Sequence, residues 1–173
     1  MYLKIVGSLF LLCSAAAIGF KKAEYLSQRV HNLRELQRMV VFLQGELRFH
    51  RSTLSDAFAA VSERVQAPFD RFLRELSQDM NLKGNRHFGE LWQEEMQRMF
   101  QRDPAFQADR SLLEFLGSSL GYLDVTMQTE HLNLVLLQVE DALNQAKEQR
   151  EMKGKLYQTM GVSVGALLVL LMI

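Results

Sequence analysis

Histidine, cysteine and serine are the side chains most able to bind a metal or act as nucleophiles, and this chain has few of them in useful patterns. His31, His50, His87 and His131 are not spaced as metal ligands relative to one another or to a repeated carboxylate. The single cysteine, Cys13, lies in an apolar stretch, so one chain can form neither a disulfide nor a thiolate metal site. No serine lies in a nucleophile elbow, and no Gly-rich loop carries the Lys-Ser/Thr pair that holds phosphate. The sequence therefore predicts no catalytic residue, no cofactor and no metal.

The charge balance gives no argument for nucleic acid or an acidic substrate. The 173 residues have a formal net charge of zero, with 20 basic and 20 acidic side chains. Basic residues such as Arg34 and Arg38 alternate with acids such as Glu35, which is typical of a solvated helix face. With 48% hydrophobic residues, the chain suits one compact domain plus membrane anchors.

Apolar residues recur at helical spacing along the whole chain, and no stretch alternates as a strand would. The clearest pattern, from Ala23 to Phe49, has Leu26, Val30, Leu33, Leu36, Val40, Leu43 and Leu47 three or four positions apart. Four shorter helices are predicted around Leu54–Val65, Phe69–Met80, Leu91–Phe100 and Leu112–Leu120, with caps or turns at Thr53, Pro68, Lys83–Asn85, Asp103–Pro104 and Asp109. The sequence thus predicts an all-α antiparallel bundle of about six helices.

The last predicted helix is the longest and begins at Asp124. Its buried face is predicted to consist of Met127, Leu134, Leu137, Leu143 and Ala146. Gly121 can end the preceding helix in a left-handed conformation, and Asp124 can cap the long helix with its carboxylate. Gln128 lies one turn after Asp124, so both residues could instead contact a partner. Gly121, Asp124 and Gln128 are therefore candidate cap or partner-contact residues.

The first 20 residues are apolar apart from Lys4 and a few small polar residues, which is long enough to span a bilayer. A cleaved secretory signal is the alternative, because Ala15–Ala17 offer small residues at cleavage spacing. Lys21 and Lys22 follow the apolar run, whereas only Lys4 precedes it. This order favours an uncleaved anchor with the N-terminus outside and the following residues in the cytosol.

A second anchor is predicted over residues 159–173, which leaves residues 21–158 as the cytosolic bundle. The uncharged run that ends the chain covers only about 21 Å of a ~30 Å hydrocarbon core, so a buried core helix is the alternative. Lys153, Lys155 and Tyr157 stand where an interface would be, which favours the membrane. Gly161 and Gly165 form a small-xxx-small step that could let two anchors approach closely, or they are merely tolerated in lipid.

Three groups of segments resemble one protein family. The first is Leu120–Gly121, Asp124–Val125, Gln128 and His131–Leu134; the second is Leu156–Tyr157, Met160–Gly161 and Gly165; the third is Arg34–Leu36, Gly45–Leu47 and Thr53–Ala57. In this order they resemble the stage III sporulation protein AB family over the whole chain. One departure is that Leu54 follows Thr53 directly, where the family has an intervening Pro.

The resemblance implies a membrane protein made in the mother cell of endospore-forming bacteria. It would act as a non-catalytic scaffold in a secretion-like complex facing the forespore, with a helical domain similar to the cytoplasmic domain of the type II secretion inner-membrane platform protein. The implied partners are an ATPase like stage III sporulation protein AA and other membrane subunits. From the residues alone, a soluble helical enzyme or ligand-binding bundle remains an alternative, as does a coiled-coil membrane regulator, although the spacing after Leu137 departs from a heptad.

Overall fold

The computed structural model describes residues 2–50, 53–82, 86–120 and 125–172, and it is helical with no strand over these ranges. The α-helices are α1 Tyr2–Gly45, α2 Leu54–Ser62, α3 Phe69–Leu82, α4 Phe88–Arg102, α5 Arg110–Leu120 and α6 Val125–Met172. A π-helical turn, Glu46–His50, follows α1, and a 3-10 turn, Pro104–Asp109, precedes α5. The predicted all-α fold is confirmed.

The chain divides into two units by the contacts it makes. One unit comprises Met1–Val30 with Asn144–Ile173, and the other comprises His31–Leu143. In the first unit the Arg29 guanidinium donates a hydrogen bond to the Gln149 side-chain oxygen over 3.1 Å. The predicted boundaries near residues 20 and 158 concern membrane insertion, which these contacts do not test.

None of the helices, over the residues described, has a stretch that is both long and apolar enough to cross a membrane. The predicted anchors, residues 1–20 and 159–173, lie mostly where side chains are outside the described part of the structure. Both anchors therefore stay a prediction.

Aromatic rings fill the centre of the unit His31–Leu143. The Trp92 side chain is buried and meets the Phe72 ring edge-on, with 4.9 Å between ring centroids. Phe69 meets Phe106 in the same manner at 5.4 Å. Such pairs stabilise a core beyond the area that they bury. Phe69, Phe72 and Trp92 are thus core residues of α3 and α4, and Phe106 joins them from the 3-10 turn, an element that the sequence pattern did not predict.

Polar side chains define where several helices begin and end. Thr53 caps α2, because its hydroxyl oxygen accepts a hydrogen bond from the Asp56 backbone N–H at 3.2 Å. Asp103 ends α4 and also caps the 3-10 turn, accepting from the Ala105 N–H at 3.1 Å. The buried Asn32 amide of α1 donates to the same Asp103 carboxylate over 2.8 Å. Both Thr53 and the stop at Asp103 were predicted from the sequence.

The buried face of α6 differs from the predicted one. Met127, Leu134 and Leu137 are 52%, 50% and 64% exposed, so the predicted burial of these three residues is wrong. The buried stripe is Leu132, Val135, Val139, Leu143 and Ala146, of which only the last two were predicted. The physical reason is that α6 carries two apolar stripes, because residues two positions apart, such as 132 and 134, point about 200° apart around a helix. By contrast, every core residue predicted for the first long helix is buried: Leu26, Val30, Leu33, Leu36, Val40 and Leu43 of α1, and Leu47 of the π-helical turn.

Candidate interaction surface

The predicted site residue that the structure describes most fully is Gln128. Only 9% of it is exposed, and its side-chain nitrogen donates a hydrogen bond to the Leu120 carbonyl over 3.0 Å. Leu120 is the last residue of α5, and the final carbonyls of a helix have no intrahelical partner. Gln128 therefore ties the start of α6 to the end of α5.

Four other predicted site residues lie wholly or partly outside the described part of the structure. Gly121 and Asp124 lie outside the described residues, so their predicted cap or partner-contact roles stay predictions. Gly161 and Gly165 fall within α6, but their surroundings are outside the described part. Over the residues that the structure does describe, no group of three or more His, Cys, Asp or Glu side chains could hold a metal ion.

An ionic cluster between α3 and α4 surrounds Glu95. This residue is 1% exposed, and one of its carboxylate oxygens accepts a hydrogen bond from Arg98. The other oxygen, Oε2, is buried and has no hydrogen-bond partner among the described residues. On α3, Glu75 accepts from Arg71 at 2.7 Å and from Arg102 of α4 at 2.9 Å. Arg102 thus links the two helices through Glu75.

The two glutamates have opposite pKa shifts. Burial raises the pKa of Glu95 to about 7, and the neighbouring Glu75 acts in the same direction. Burial also acts to raise the pKa of Glu75, but the hydrogen bonds from Arg71 and Arg102 outweigh it and hold that pKa at about 2. Shifted carboxyl groups occur both at active sites and in structural ion-pair networks. Because Glu95 is enclosed by protein, we interpret this cluster as a structural link between α3 and α4.

A cavity of about 230 Å³ lies beside the start of α5, lined by Gln97, Phe100, Gln101, Gln107 and Arg110. Its one cation is already engaged, because Arg110 lies 5.8 Å over the Phe100 ring and donates to Glu114 over 2.8 Å. A molecule in the cavity would therefore meet the side-chain amides of three glutamines rather than an unpaired positive charge.

Helices α1 and α6 meet at the surface of the unit His31–Leu143. The Gln44 side-chain amide, in the last turn of α1, donates to the Asn133 side-chain oxygen at 2.8 Å and to the Thr129 carbonyl at 3.4 Å, both in the first turns of α6. The last turn of α1 therefore lies beside the first turns of α6. From this junction both helices extend through the same unit with buried residues along their length, so they run antiparallel here.

Near this junction, each helix has a row of exposed side chains along its length. The row on α1 is Arg34, Arg38 and Val41, with Arg48 in the π-helical turn that follows, and the row on α6 is Met127, Glu130, Leu134, Leu137 and Asp141. Because positions three and four apart share a helix face, the α6 row and the residues Arg34, Arg38 and Val41 each form a stripe, and Arg48 lies seven positions after Val41. We define these two rows together as the α1–α6 face.

Exposed apolar side chains concentrate on and around this face. Among the described residues of the unit His31–Leu143, the exposed large apolar side chains are Val41 of α1, Phe49 of the π-helical turn after it, Met127, Leu134 and Leu137 of α6, and Leu82 of α3. Exposed apolar groups that gather in one place mark surfaces for other molecules. Fold and surface together define an all-helical protein with exposed apolar side chains along the α1–α6 face.

Comparisons with known proteins identify its family. Residues 4–173 match the family described as Stage III sporulation protein AB (spore_III_AB), and the chain belongs to this family. It is similar to the Stage III sporulation protein AB of Bacillus subtilis (strain 168), with 22% identity over 170 residues, covering 98% of this chain and 99% of that protein. The resemblance recognised in the sequence is confirmed, and membership supports a role in sporulation.

A solved structure has the same fold. The chain titled Stage III sporulation protein AB (SpoIIIAB) superposes with a TM-score of 0.63 at 18% identity, covering 72% of this chain and 98% of that chain. At this level of identity, the likeness establishes the fold alone.

Proposed function

We propose that this chain is a membrane-anchored, non-catalytic scaffold of a secretion-like complex between the mother cell and the forespore. The observation that carries the proposal is the family match over residues 4–173, which includes both apolar ends as well as the helices between them. A family named for sporulation rather than for an enzymatic activity agrees with a scaffold role.

The two apolar ends, residues 1–20 and 159–173, are proposed as anchors. Lys21 and Lys22 directly follow the first end, and Lys153 and Lys155 precede the second. Basic residues beside an anchor remain on the cytosolic side of the membrane. On this proposal residues 21–158 lie in the mother-cell cytosol, and both termini lie on the opposite side.

Residues 21–158 would bind other subunits of the complex and would not catalyse a reaction. The carboxyl group with the raised pKa, Glu95, is enclosed, whereas apolar side chains such as Leu134 and Leu137 are exposed. A secretion-like complex needs a subunit that hydrolyses a nucleotide, and the proposed partner is an ATPase like stage III sporulation protein AA on the cytosolic side. The other proposed partners are membrane subunits of the same complex.

Cross-linking in the native membrane tests this proposal. A photo-activated cross-linker is placed at Gln78 of α3 or Gln138 of α6, two exposed positions, in a sporulating endospore-forming host. At least one position is expected to capture an ATPase-like subunit, and capture should disappear when the gene for that ATPase is deleted. Capture of soluble metabolic enzymes alone, or release of the chain from membranes by salt without detergent, would contradict the proposed role.

A further inference from the structure

The register between α1 and α6 follows from the hydrogen bond that joins Gln44 to Asn133. Val41 lies three positions before Gln44, and Leu137 lies four positions after Asn133. Because the helices run antiparallel, Val41 and Leu137 are level to within about one residue, or ~1.5 Å. These exposed apolar residues therefore form the centre of the α1–α6 face.

The charges on both sides of this centre have opposite signs on the two helices. Counted from the same hydrogen bond, Arg48 is level with Glu130 to within about one residue, and Arg38 is level with Asp141 to within about two. All four residues are exposed. The order along α1 and the turn after it is thus basic, apolar, basic, with Arg38 also paired to Glu35 of its own helix over 2.9 Å, and the order along α6 is acidic, apolar, acidic.

We propose that this face binds the same face of a second copy of the chain. A two-fold axis in the interface, parallel to the helices, places α1 of each copy on α6 of the other at the same level. Val41 then meets Leu137 of the second copy, and Arg48 meets Glu130 of the second copy. The other two-fold arrangement, with its axis across the helices, would place the basic row on the basic row of the second copy. Like charges would then repel, so the charge order selects the axis parallel to the helices.

The size of the face sets the strength expected of this pairing. The segment Arg34–Arg48 is roughly 22 Å long, and two neighbouring helices are roughly 20 Å wide, which gives a contact of roughly 440 Å² on each copy, below the size of stable specific interfaces. The charges lie at the solvent-exposed rim, where salt screens them. The dimer should therefore be weak, reversible and less populated at high salt. Its residues belong to the unit His31–Leu143, so the pairing holds whether or not the chain is anchored in a membrane.

Chemical cross-linking between two tagged copies tests the arrangement directly. In a Cys13→Ser background, one copy carries Val41→Cys and the other carries Leu137→Cys, and a short bifunctional maleimide is added to the full chain in detergent. A cross-linked dimer with both tags is expected. The matched control replaces Leu137→Cys with Leu82→Cys, which is 83% exposed on α3 and should give little of that product. Equal cross-linking of both combinations, or none with Leu137→Cys, overturns the proposal.

Exchanging the charges of Arg48 and Glu130 tests the proposed ion pair between the two copies independently. Arg48→Glu or Glu130→Arg alone should abolish the dimer in light scattering at low salt, because like charges then meet across the interface. The double variant Arg48→Glu/Glu130→Arg should dimerise again, since both signs are reversed in every copy. Circular dichroism confirms that each variant is folded. A wild-type chain that stays monomeric, or a double variant that does not recover, contradicts the pairing.

Discussion

Gly117 lies against the indole of Trp92, so the absence of a side chain there is a packing requirement. A Cβ at this position would overlap the indole nitrogen, which donates a hydrogen bond to the Leu113 carbonyl over 3.0 Å. Gly117→Ala should lower the free energy of unfolding by roughly 1–3 kcal/mol, as overpacking of a core does. Trp92 is the only tryptophan, so its fluorescence should also shift to the red.

The matched control for this change is Gly89→Ala in the first turn of α4, where an added Cβ would meet nothing within 4 Å. This variant should unfold at the wild-type temperature or slightly above it, because alanine is the better helix former. Thermal unfolding followed by fluorescence compares the two. Equal melting temperatures for both variants would mean that Trp92 can move aside without cost.

Glu95 makes stability depend on pH near neutrality. Its pKa is raised from an ordinary value of 4.5 to about 7, so the folded state binds a proton that the unfolded state has lost between these values. Stability contributed by Glu95 is thus present below about pH 4.5 and is lost as the pH rises through about 7. The lowered pKa of Glu75 affects stability in a different pH range. The stability that Glu75 contributes is lost only as the pH falls from 4.5 towards about 2.

Glu95→Gln should remove this dependence. The amide is neutral at every pH and can donate towards Glu75, whereas the ionised carboxylate leaves a buried oxygen without a partner. At pH 8 the variant should gain roughly 1 kcal/mol, the scale of one unsatisfied buried acceptor. Melting temperatures measured from pH 5 to pH 8 should fall for the wild type and stay flat for Glu95→Gln. Parallel curves would show that another group controls this range.

At the scale of the helices, Gln128 is predicted to hold α5 and α6 together. Gln128→Ala leaves the buried Leu120 carbonyl without this hydrogen bond, which should cost roughly 1–3 kcal/mol. Gln138→Ala, at an exposed position on α6, is the control and should be nearly silent in thermal unfolding. If the two substitutions destabilise equally, the loss reflects α6 in general and not the tie to α5.

The helices also show what the sequence could predict and why some of it could not. A helix with a single apolar stripe has one way to face a core, so the buried residues of α1 were predictable from spacing. In α6 two stripes compete, and hydrophobicity alone did not show that Leu132 would be buried and Leu134 exposed. Glu75 and Glu95 lie on different helices, so only the packing of α3 on α4 brings them together. Gln128 was recognised as a candidate, but its contact with Leu120 required the structure.

For the molecule as a whole, hydropathy and contacts mark different boundaries. The sequence changes from apolar to charged near residue 20 and back to apolar near residue 159, which are the limits of the two proposed anchors. The contacts instead divide the chain at Val30 and Asn144, inside α1 and α6. A helix that continues through a membrane interface keeps its backbone hydrogen bonds on both sides, so the position of the membrane leaves no break in secondary structure. Membrane topology must therefore be measured on the full chain.

On the proposed function, the helices between the two ends lie in the cytosol of a membrane-anchored chain, within reach of an ATPase. The most direct measurement places Gln78→Cys, at an exposed position on α3, in a Cys13→Ser background and treats intact cells with a membrane-impermeant maleimide. The predicted result is no labelling before lysis, full labelling after lysis, and a chain that leaves the membrane fraction only with detergent. Labelling of Gln78→Cys in intact cells, or release of the chain by salt alone, would contradict the account.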